Sequence, residues 1–442
     1  MPRVLGNMRA SLMAGAAMAA ILPFSGTAIA GGFFNMQQST VFNGTAYAGF
    51  AAPGSMSISG MYINPALMTQ FGGFTTENNF LVVQPTIRIR GVSGVIPPAF
   101  GGTLPSGDIA QDALSPASYG VLPLGAGFYA GLAINAPYGN TTKPAMPWGG
   151  QLNSMTTKIR TYTFTPSLAY AVSPQLSVGV GVQIQYFKTS LESAAGLGPD
   201  PGTIGLKGDG WGYGVTAGVS WLPVEGTAIG LGYRSRIDQD LDGSIIGTPL
   251  PNPLRGISTT VRLPDRLNLS VRQRISPDFD LLGSVEWYNW SRIGTSIISG
   301  PGLALLPPAV RAGLSSLPLE YKDGWMFSLG GEYRWNQALT LRAGAAYEIS
   351  PIDTAVRTTR LPDADRLWLS AGLSYEFSER LSFNASYSRV LVKNADLNVQ
   401  PPFGQPYVGQ AKSHSDIFAI GFTTRWTGAA PADLPRAVVR KG

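Results

Sequence analysis

The sequence contains no cysteine and a single histidine, and only 13% of its 442 residues are Asp, Glu, Lys or Arg. The absence of cysteine excludes disulfides, thiolate metal ligands and thiol catalysis. The formal net charge of +6 is spread along the chain, and no block of Lys or Arg marks a nucleic-acid-binding surface. We therefore expect no nucleic-acid partner, no metal and no other cofactor.

Long apolar runs are also absent, apart from one at the start of the chain. Arg3 and Arg9 precede a run of small and apolar residues, 10–24. After this run, Ala28-Ile29-Ala30 has the A-x-A form of a cleavage site. The run is too short to span about 30 Å of hydrocarbon as a helix. The pattern predicts a cleaved signal peptide over residues 1–30 and therefore an exported protein.

Segments with alternating apolar and polar residues dominate the rest of the chain. From residue 176 to 186 the even positions carry large apolar side chains, and the odd positions carry Ser, Gly or Gln. Such a strand buries one face only. Many of these stretches exceed the usual five or six residues and end in aromatics, such as Trp211, Tyr213 and Trp221. A face turned to lipid and bounded by aromatic girdles explains both features.

Short turns alternate with long loops rich in Gly and Pro, as periplasmic turns and extracellular loops do in outer-membrane barrels. We therefore predict an all-β fold, a transmembrane antiparallel β-barrel of about fourteen strands over residues 74–426. A tail over residues 427–442 follows it. The predicted strands are 74–92, 117–124, 126–136, 157–172, 175–190, 206–222, 226–243, 259–275, 279–295, 322–335, 338–349, 365–378, 380–396 and 413–426.

Residues 31–73 precede the first predicted strand and do not alternate. Asn64-Pro65-Ala66-Leu67 predicts a turn that enters a short helix. The segment is rich in aromatic residues, which favours a hatch that plugs the barrel lumen over a mobile periplasmic leader. The predicted apolar lining of a substrate site in this hatch comprises Phe33, Phe34, Met36, Phe42 and Leu67.

Short motifs along the mature chain resemble a known family. Besides Asn64-Pro65-Ala66-Leu67, they are KGDGWGYG at 207–214, Tyr233-Arg234-Ser235, and LPDADRLWLSAG at 361–372 after Ser350-Pro351. In this order and spacing they resemble the FadL/TodX family, outer-membrane transporters of long-chain fatty acids and aromatic hydrocarbons. The resemblance extends from about residue 31 to residue 426.

The resemblance implies a fourteen-stranded barrel closed by an N-terminal hatch, with a substrate that leaves sideways through a gap in the wall. It implies a protein of the bacterial outer membrane that takes up hydrophobic compounds passively, with long-chain fatty acids as the expected substrate. The expected partners are outer-membrane lipid, the substrate and the barrel-assembly machinery, and we expect a monomer. The loops after predicted strands five and seven are short for the family, which leaves the identity of the substrate open.

A charge on the lipid face of the barrel costs about 2–4 kcal/mol near the midplane. The charged residues of the predicted strands are therefore expected to face the lumen. Lys188 and Lys207 are placed near the outer ends of strands, where a carboxylate head group could first be captured. For any one inward Arg, a structural network of ion pairs that fixes the hatch and braces the wall is favoured over ligand binding. The predicted network contains Arg234, Arg272, Glu286, Arg342, Glu348, Arg366 and Glu376, with Arg236, Arg274, Glu332 and Arg334 on the same faces.

No enzymatic activity is expected, because His414 is predicted at the edge of the last strand, without the partners of a catalytic triad. Three alternatives to fatty-acid uptake stay open. One is uptake of aromatic or aliphatic hydrocarbons by the same mechanism. A general porin is the second, and the predicted plug argues against it. The third is a secreted all-β binding or adhesion domain, which the lipid-like outer faces of the strands disfavour.

Overall fold

The computed structural model describes residues 32–94, 104–196, 200–248, 253–400 and 407–427. These residues form a closed antiparallel β-barrel of fourteen strands, which confirms the predicted fold class and strand number. The predicted signal peptide, residues 1–30, lies outside the described residues, as does all of the predicted tail except Thr427.

The strands follow one another around the barrel in chain order. They are β1 Thr75–Gly94, β2 Ala113–Gly125, β3 Phe128–Asn135 and Gly139–Thr142, β4 Thr156–Ala171, β5 Leu176–Ala194, β6 Thr203–Val224, β7 Thr227–Arg234 and Ile237–Thr248, β8 Leu254–Leu263 and Arg266–Ser276, β9 Phe279–Tyr288, β10 Gly324–Arg334, β11 Leu339–Ile349, β12 Arg366–Ser378, β13 Leu381–Val392 and Ala395–Val399, and β14 Tyr407–Arg425.

The barrel closes where β1 pairs with β14, from Thr75 opposite Arg425 to Gly94 opposite Tyr407. Closure pairs the first strand with the last, so the backbone hydrogen bonds of the strands can be satisfied within the wall except at local breaks. Alternation sorts the side chains as the sequence predicts. Val178, Val180 and Val182 are exposed on the outside of β5, whereas Gln183 and Gln185 are buried inside.

Three strands, β7, β8 and β13, are interrupted where the sequence predicted continuous ones, and β3 continues after a break that begins at the end of predicted strand 126–136. Pro264 lies in the break of β8 and Pro137 in that of β3, since proline has no N–H to donate to a neighbouring strand. The break of β7 at Ser235 and Arg236 shifts the alternation by one residue. Arg236 is therefore exposed on the outside beside Asp238, and its predicted inward position was wrong.

Residues 32–71 lie inside the barrel, and all but four of them are buried. They contain a short helix, Thr40–Asn43, and two 3-10 helices, Ile58–Tyr62 and Pro65–Gln70. Their polar groups bond to inward side chains around the wall. Ser270 on β8 accepts from the Ala51 amide at 3.0 Å, and Ser386 on β13 accepts from Asn43 Nδ2 at 3.0 Å.

A long loop covers one end of the barrel between β9 and β10. It contains a hairpin of Thr295–Ile297 and Ser316–Pro318 and two short helices, Pro301–Ala304 and Pro308–Leu314. Within the described parts of the chain, no helix is long and apolar enough to cross a membrane.

Candidate functional site

An aromatic cluster forms where the start of the hatch meets the wall. The Phe33 ring lies 5.0 Å from that of Trp290 and 6.4 Å from that of Phe187, measured between centroids. The Phe34 ring lies 5.5 Å from that of Tyr138. Three of the predicted lining residues, Phe33, Phe34 and Met36, thus come together here. We call Phe33, Phe34, Met36, Tyr138, Phe187, Tyr288 and Trp290 the aromatic cluster.

Four of the six aromatic rings in this cluster come from outside the hatch, namely those of Tyr138, Phe187, Tyr288 and Trp290. Phe187 lies on β5 and Tyr288 on β9, and the Tyr288 hydroxyl lies 3.4 Å from the Met36 sulfur. The apolar lining is therefore shared between the hatch and the wall, whereas the sequence analysis placed it in the hatch alone. The alternation of β5 already indicated an inward Phe187, because Tyr186 faces outward.

The other two predicted lining residues lie elsewhere in the hatch. Phe42 packs on Phe50, with ring centroids 4.8 Å apart, and this group continues to Tyr62 and to Trp368 of β12. Leu67 is buried in the second 3-10 helix of the hatch. Neither has a ring contact with Phe33 or Phe34.

The Asn64-Pro65-Ala66 turn anchors the hatch to β5 and β6. Asn64 Nδ2 donates to the carbonyls of Ala51 at 2.8 Å and Val219 at 2.9 Å, while Asn64 Oδ1 accepts from the Ala66 amide at 3.1 Å. The wall opposite is glycine because the approach is close: a Cβ at Gly218 would lie 1.9 Å from Asn64 Oδ1. The motif thus caps its own 3-10 helix and also bonds to the wall.

Apart from Arg236, which faces outward, and Arg234, which has no carboxylate partner, the predicted charged residues face inward and form ion pairs. Arg272 of β8 contacts both Asp280 and Glu332, and Glu332 also accepts from Arg342 Nε at 2.6 Å. The remaining pairs are Glu286 with Arg266, Arg366 with Asp363 and Glu348, and Glu376 with Arg425.

Three carboxylates of this lumen were missed by the sequence analysis. Asp280 accepts from Arg272, Arg274 and Arg334, and Asp363 accepts from Arg366 and from the Gly32 amide. Asp280 lies in the predicted strand 279–295 on the same face as Glu286, so alternation could have found it, whereas Asp363 lies outside the predicted strands and alternation gave no signal for it. Glu77, on the inward face of β1, could have been found from its position between Thr75 and Asn79.

Three arginines in the described interior, Arg234, Arg357 and Arg360, lack a carboxylate within ion-pair distance, and Arg357 donates to the backbone carbonyls of Ile352, Asp363 and Asp396. Arg234 is 3% exposed, and its Nη1 donates to the Tyr62 carbonyl at 2.5 Å while its Nη2 has no partner. Its guanidinium carbon lies 4.2 Å from the centre of the Tyr62 ring. Arg360, in the loop between β11 and β12, donates only to uncharged oxygens of Thr156, Thr157 and Ser193. Each could neutralise a carboxylate brought in by a ligand.

The two predicted capture lysines are placed differently. Lys188 and Lys207 lie toward the loop ends of β5 and β6, as predicted, but both are exposed on the outer face of the wall. The wall separates them from the aromatic cluster, to which Phe187 contributes from the opposite face.

The inner wall has two sectors of different chemistry. The inward faces of β7–β12, the charged sector, carry ionised side chains on every strand. Those of β2–β6, the neutral sector, carry no Asp, Glu, Lys or Arg among the described residues. The break of β3 lies in the neutral sector.

The start of the hatch lies against this break. The Asn35 amide donates to the Pro137 carbonyl at 2.7 Å, and the Gly139 amide donates to the Phe33 carbonyl at 3.0 Å. Asn35 Nδ2 donates to Ser115 Oγ of β2 at 2.9 Å. Pairing of β2 with β3 stops at Ser118, so hatch residues occupy the place of a wall ladder.

Comparison with known proteins gives one family. The family described as "Outer membrane protein transport protein (OMPP1/FadL/TodX)" matches residues 21–426. A long-chain fatty acid transport protein of Escherichia coli O6:H1 is 29% identical over 74% of this chain and 79% of its own length. Outer membrane protein P1 of Haemophilus influenzae is 27% identical over 84% of this chain and 88% of its own length.

Solved structures share the fold. A Pseudomonas aeruginosa FadL homologue superposes with a TM-score of 0.79 at 24% identity, covering 90% of this chain and all of that one. The Pseudomonas putida toluene transporter TodX superposes with a TM-score of 0.68 at 14% identity, over 89% of this chain and all of that one. The match over nearly the whole chain shows that this protein belongs to the OMPP1/FadL/TodX family of outer-membrane transport proteins.

Proposed function

We propose that this protein takes up long-chain fatty acids passively across the outer membrane. The observation that carries the proposal is an aromatic cluster next to a buried cation without a carboxylate partner. Arg266 links the two, since its guanidinium carbon lies 3.9 Å from the Phe34 ring and 5.5 Å from the ring of Tyr62, on which Arg234 also stacks. An apolar slot with one cation suits a chain that ends in a carboxylate.

The relatives support hydrophobic substrates in general, and not long-chain fatty acids alone. The Escherichia coli relative is named for long-chain fatty acids, and the Pseudomonas putida structure for toluene. A hydrocarbon has no charge for Arg234 to neutralise. Uptake of hydrocarbons by the same barrel is therefore the second candidate, favoured by the purely apolar surroundings of Phe33.

The exit that we propose is lateral, through the neutral sector. The break of β3 leaves β2 paired beyond Ser118 with β1 only, and hatch residues Phe33–Gln38 fill the space on its β3 side. Withdrawal of this segment would break hydrogen bonds between uncharged groups, each worth about 0.5–1.5 kcal/mol net, and the stacking of Arg266 on Phe34. The substrate would then pass from the aromatic cluster into the membrane.

Uptake of labelled oleate and of the matching alcohol, oleyl alcohol, by cells without another transporter tests the substrate. We expect saturable uptake of both, with oleate taken up at the lower concentration. Arg234→Gln should reduce oleate uptake about tenfold and leave the alcohol unchanged, because a charge-assisted hydrogen bond contributes about 1.5–3 kcal/mol. Arg234→Lys should keep most oleate uptake.

Two results would count against the proposal. Equal loss of acid and alcohol uptake in Arg234→Gln would assign Arg234 to holding the hatch, through its bond to the Tyr62 carbonyl. Saturable uptake of toluene without uptake of oleate would show that the protein takes up hydrocarbons and not fatty acids.

A further inference from the structure

Three aromatic side chains form a row on the outer face of the neutral sector. Tyr162 of β4 pairs in register with Tyr186 of β5, which pairs with Trp211 of β6. The Tyr186 and Trp211 rings lie 5.2 Å apart. Apolar residues such as Val182 continue the same outer face toward the short turn after β4. Tyr and Trp at the end of an apolar band mark the boundary between lipid tails and head groups.

Cations occupy the next two rows beyond these aromatics. Arg160 stands opposite Lys188 in the first row, and Lys158 and Lys207 flank Ser190 in the second. All four cations lie on the same outward face of their strands as the aromatic row, and the three lysines are exposed. Two residues along a strand advance about 6.6 Å, so these rows lie at the depth of the head groups. We call Lys158, Arg160, Lys188 and Lys207 the outer cation patch.

The cations of the patch form no ion pair within the described protein, although Asp209 stands opposite Lys188 in the first row and is followed there by Asp242 of β7. None of its four cations has a carboxylate within 4.0 Å among the described residues. The outer faces of β4–β6 offer two acids nearby: Asp209 accepts from the Tyr186 hydroxyl at 2.8 Å, and Glu192 accepts from Ser190 at 3.2 Å. Further acids lie on the outside of β7, which leaves the β4 and β5 side of the patch with the excess positive charge.

The patch lies at the extracellular end of the barrel. β5 and β6 are joined on that side by the longer loop, whereas β4 and β5 meet at a short turn at the opposite end, as in outer-membrane barrels. The outer leaflet of a Gram-negative outer membrane consists of glycolipids that carry phosphate groups. Clustered Lys and Arg at head-group depth bind anionic lipid, each contributing about a fivefold gain in affinity.

We propose that the outer cation patch binds the phosphates of an outer-leaflet glycolipid. Because it faces the membrane and not the lumen, the proposal is independent of substrate uptake. It also gives Lys188 and Lys207 a different partner from the fatty-acid carboxylate that the sequence suggested.

Native mass spectrometry of the mature barrel released from detergent tests this with diphosphorylated lipid A as the probe. We expect it to bind at least tenfold more tightly than its dephosphorylated form. Lys158→Gln/Lys188→Gln should lose that preference by about tenfold or more, whereas Lys158→Arg/Lys188→Arg should retain it. The matched control is Lys322→Gln/Lys393→Gln, which removes two exposed lysines that are each paired with an aspartate, and it should bind like the wild type.

Three outcomes would overturn the proposal. One is equal binding of both lipid forms, or of wild type and the Gln variant. Another is displacement of lipid A by millimolar inorganic phosphate, which would make the patch a site for the free ion. The third is displacement by oleate, which would return Lys188 to the substrate. Heat-modifiable migration on unboiled gels shows that each variant is a folded barrel, so a loss of binding is not a loss of fold.

Discussion

The charged and the neutral sectors of the inner wall hold the same hatch in different ways. In the charged sector, Arg266 stacks on Phe34 while it is paired with Glu286. In the neutral sector, the contacts are hydrogen bonds between uncharged groups, such as Asn35 to Ser115 and Asn64 to the Val219 carbonyl.

This difference matters because removing one partner of a buried ion pair costs about 3–5 kcal/mol, whereas a neutral hydrogen bond contributes about 1 kcal/mol. We therefore expect the contacts of the wall to be harder to break in the charged sector than in the neutral sector. The break of β3 and the hatch segment that lies against it are both on the neutral side. These contacts support the proposal that the hatch, fixed on the charged side, opens on the neutral side without unfolding the barrel.

The largest effect is expected from a covalent cross-link between the hatch and the neutral sector. The chain has no cysteine, so Asn35→Cys/Ser115→Cys introduces one reactive pair, at positions whose side chains are 2.9 Å apart. A short reducible thiol cross-linker should abolish fatty-acid uptake, and reductant should restore it. Uptake of labelled oleate before and after reduction measures this.

The matched control ties the hatch to the charged sector. The Ala51 amide lies 3.0 Å from Ser270 Oγ, and Ala51→Cys/Ser270→Cys with the same reagent should leave uptake within about twofold of the single variants. Loss of uptake with both cross-links would show that the whole hatch moves. Loss with neither would remove the lateral exit beside β3.

The next effect concerns the free energy of unfolding. Glu332→Gln removes the charge that Arg272 and Arg342 share, and both guanidinium groups are buried. We expect the barrel to lose about 3–5 kcal/mol of stability. Thr163→Val, the control in the neutral sector, removes a buried bond of 2.8 Å to Gln185 and should cost about 1 kcal/mol.

Urea-dependent unfolding in lipid vesicles, followed by tryptophan fluorescence, compares the two variants. If Thr163→Val costs as much as Glu332→Gln, the two sectors do not differ in rigidity. The distinction drawn between them would then fail.

The fold was predictable because a strand has a side-chain period of two, which assigns each residue to lipid or lumen without knowledge of its neighbours. Alternation alone predicts that Phe187 and Trp368 face inward. Where the period slips, prediction failed: Arg236 lies beyond the break of β7 and faces outward.

The partners within the lumen were not predictable in the same way. They depend on register between strands, which alternation does not determine. Arg272 meets Asp280 and Glu332 from two successive strands, and Tyr138 enters the aromatic cluster from a break. The hatch motif was found as a turn, but its bond to Val219 depends on a glycine opposite, at Gly218.

The smallest effect is expected at that motif. Asn64→Ala removes two bonds to carbonyls and the cap of the 3-10 helix Pro65–Gln70, all between uncharged groups. We expect a local loss of about 1–2 kcal/mol, confined to the hatch, because caps and neutral bonds each contribute about 1 kcal/mol.

Hydrogen exchange of the amides in residues 58–70 measures this loss directly, as faster exchange of the hatch with unchanged exchange of the strands. Thr69→Val, in the same 3-10 helix, removes a hydroxyl that bonds to Ser177 at 2.8 Å in a partly exposed position, and it should change exchange less. A global loss of strand protection in Asn64→Ala would mean that the hatch supports the barrel on its neutral side too. In that case the wall could not release the hatch there without losing its own stability, and uptake would have to proceed with the hatch in place.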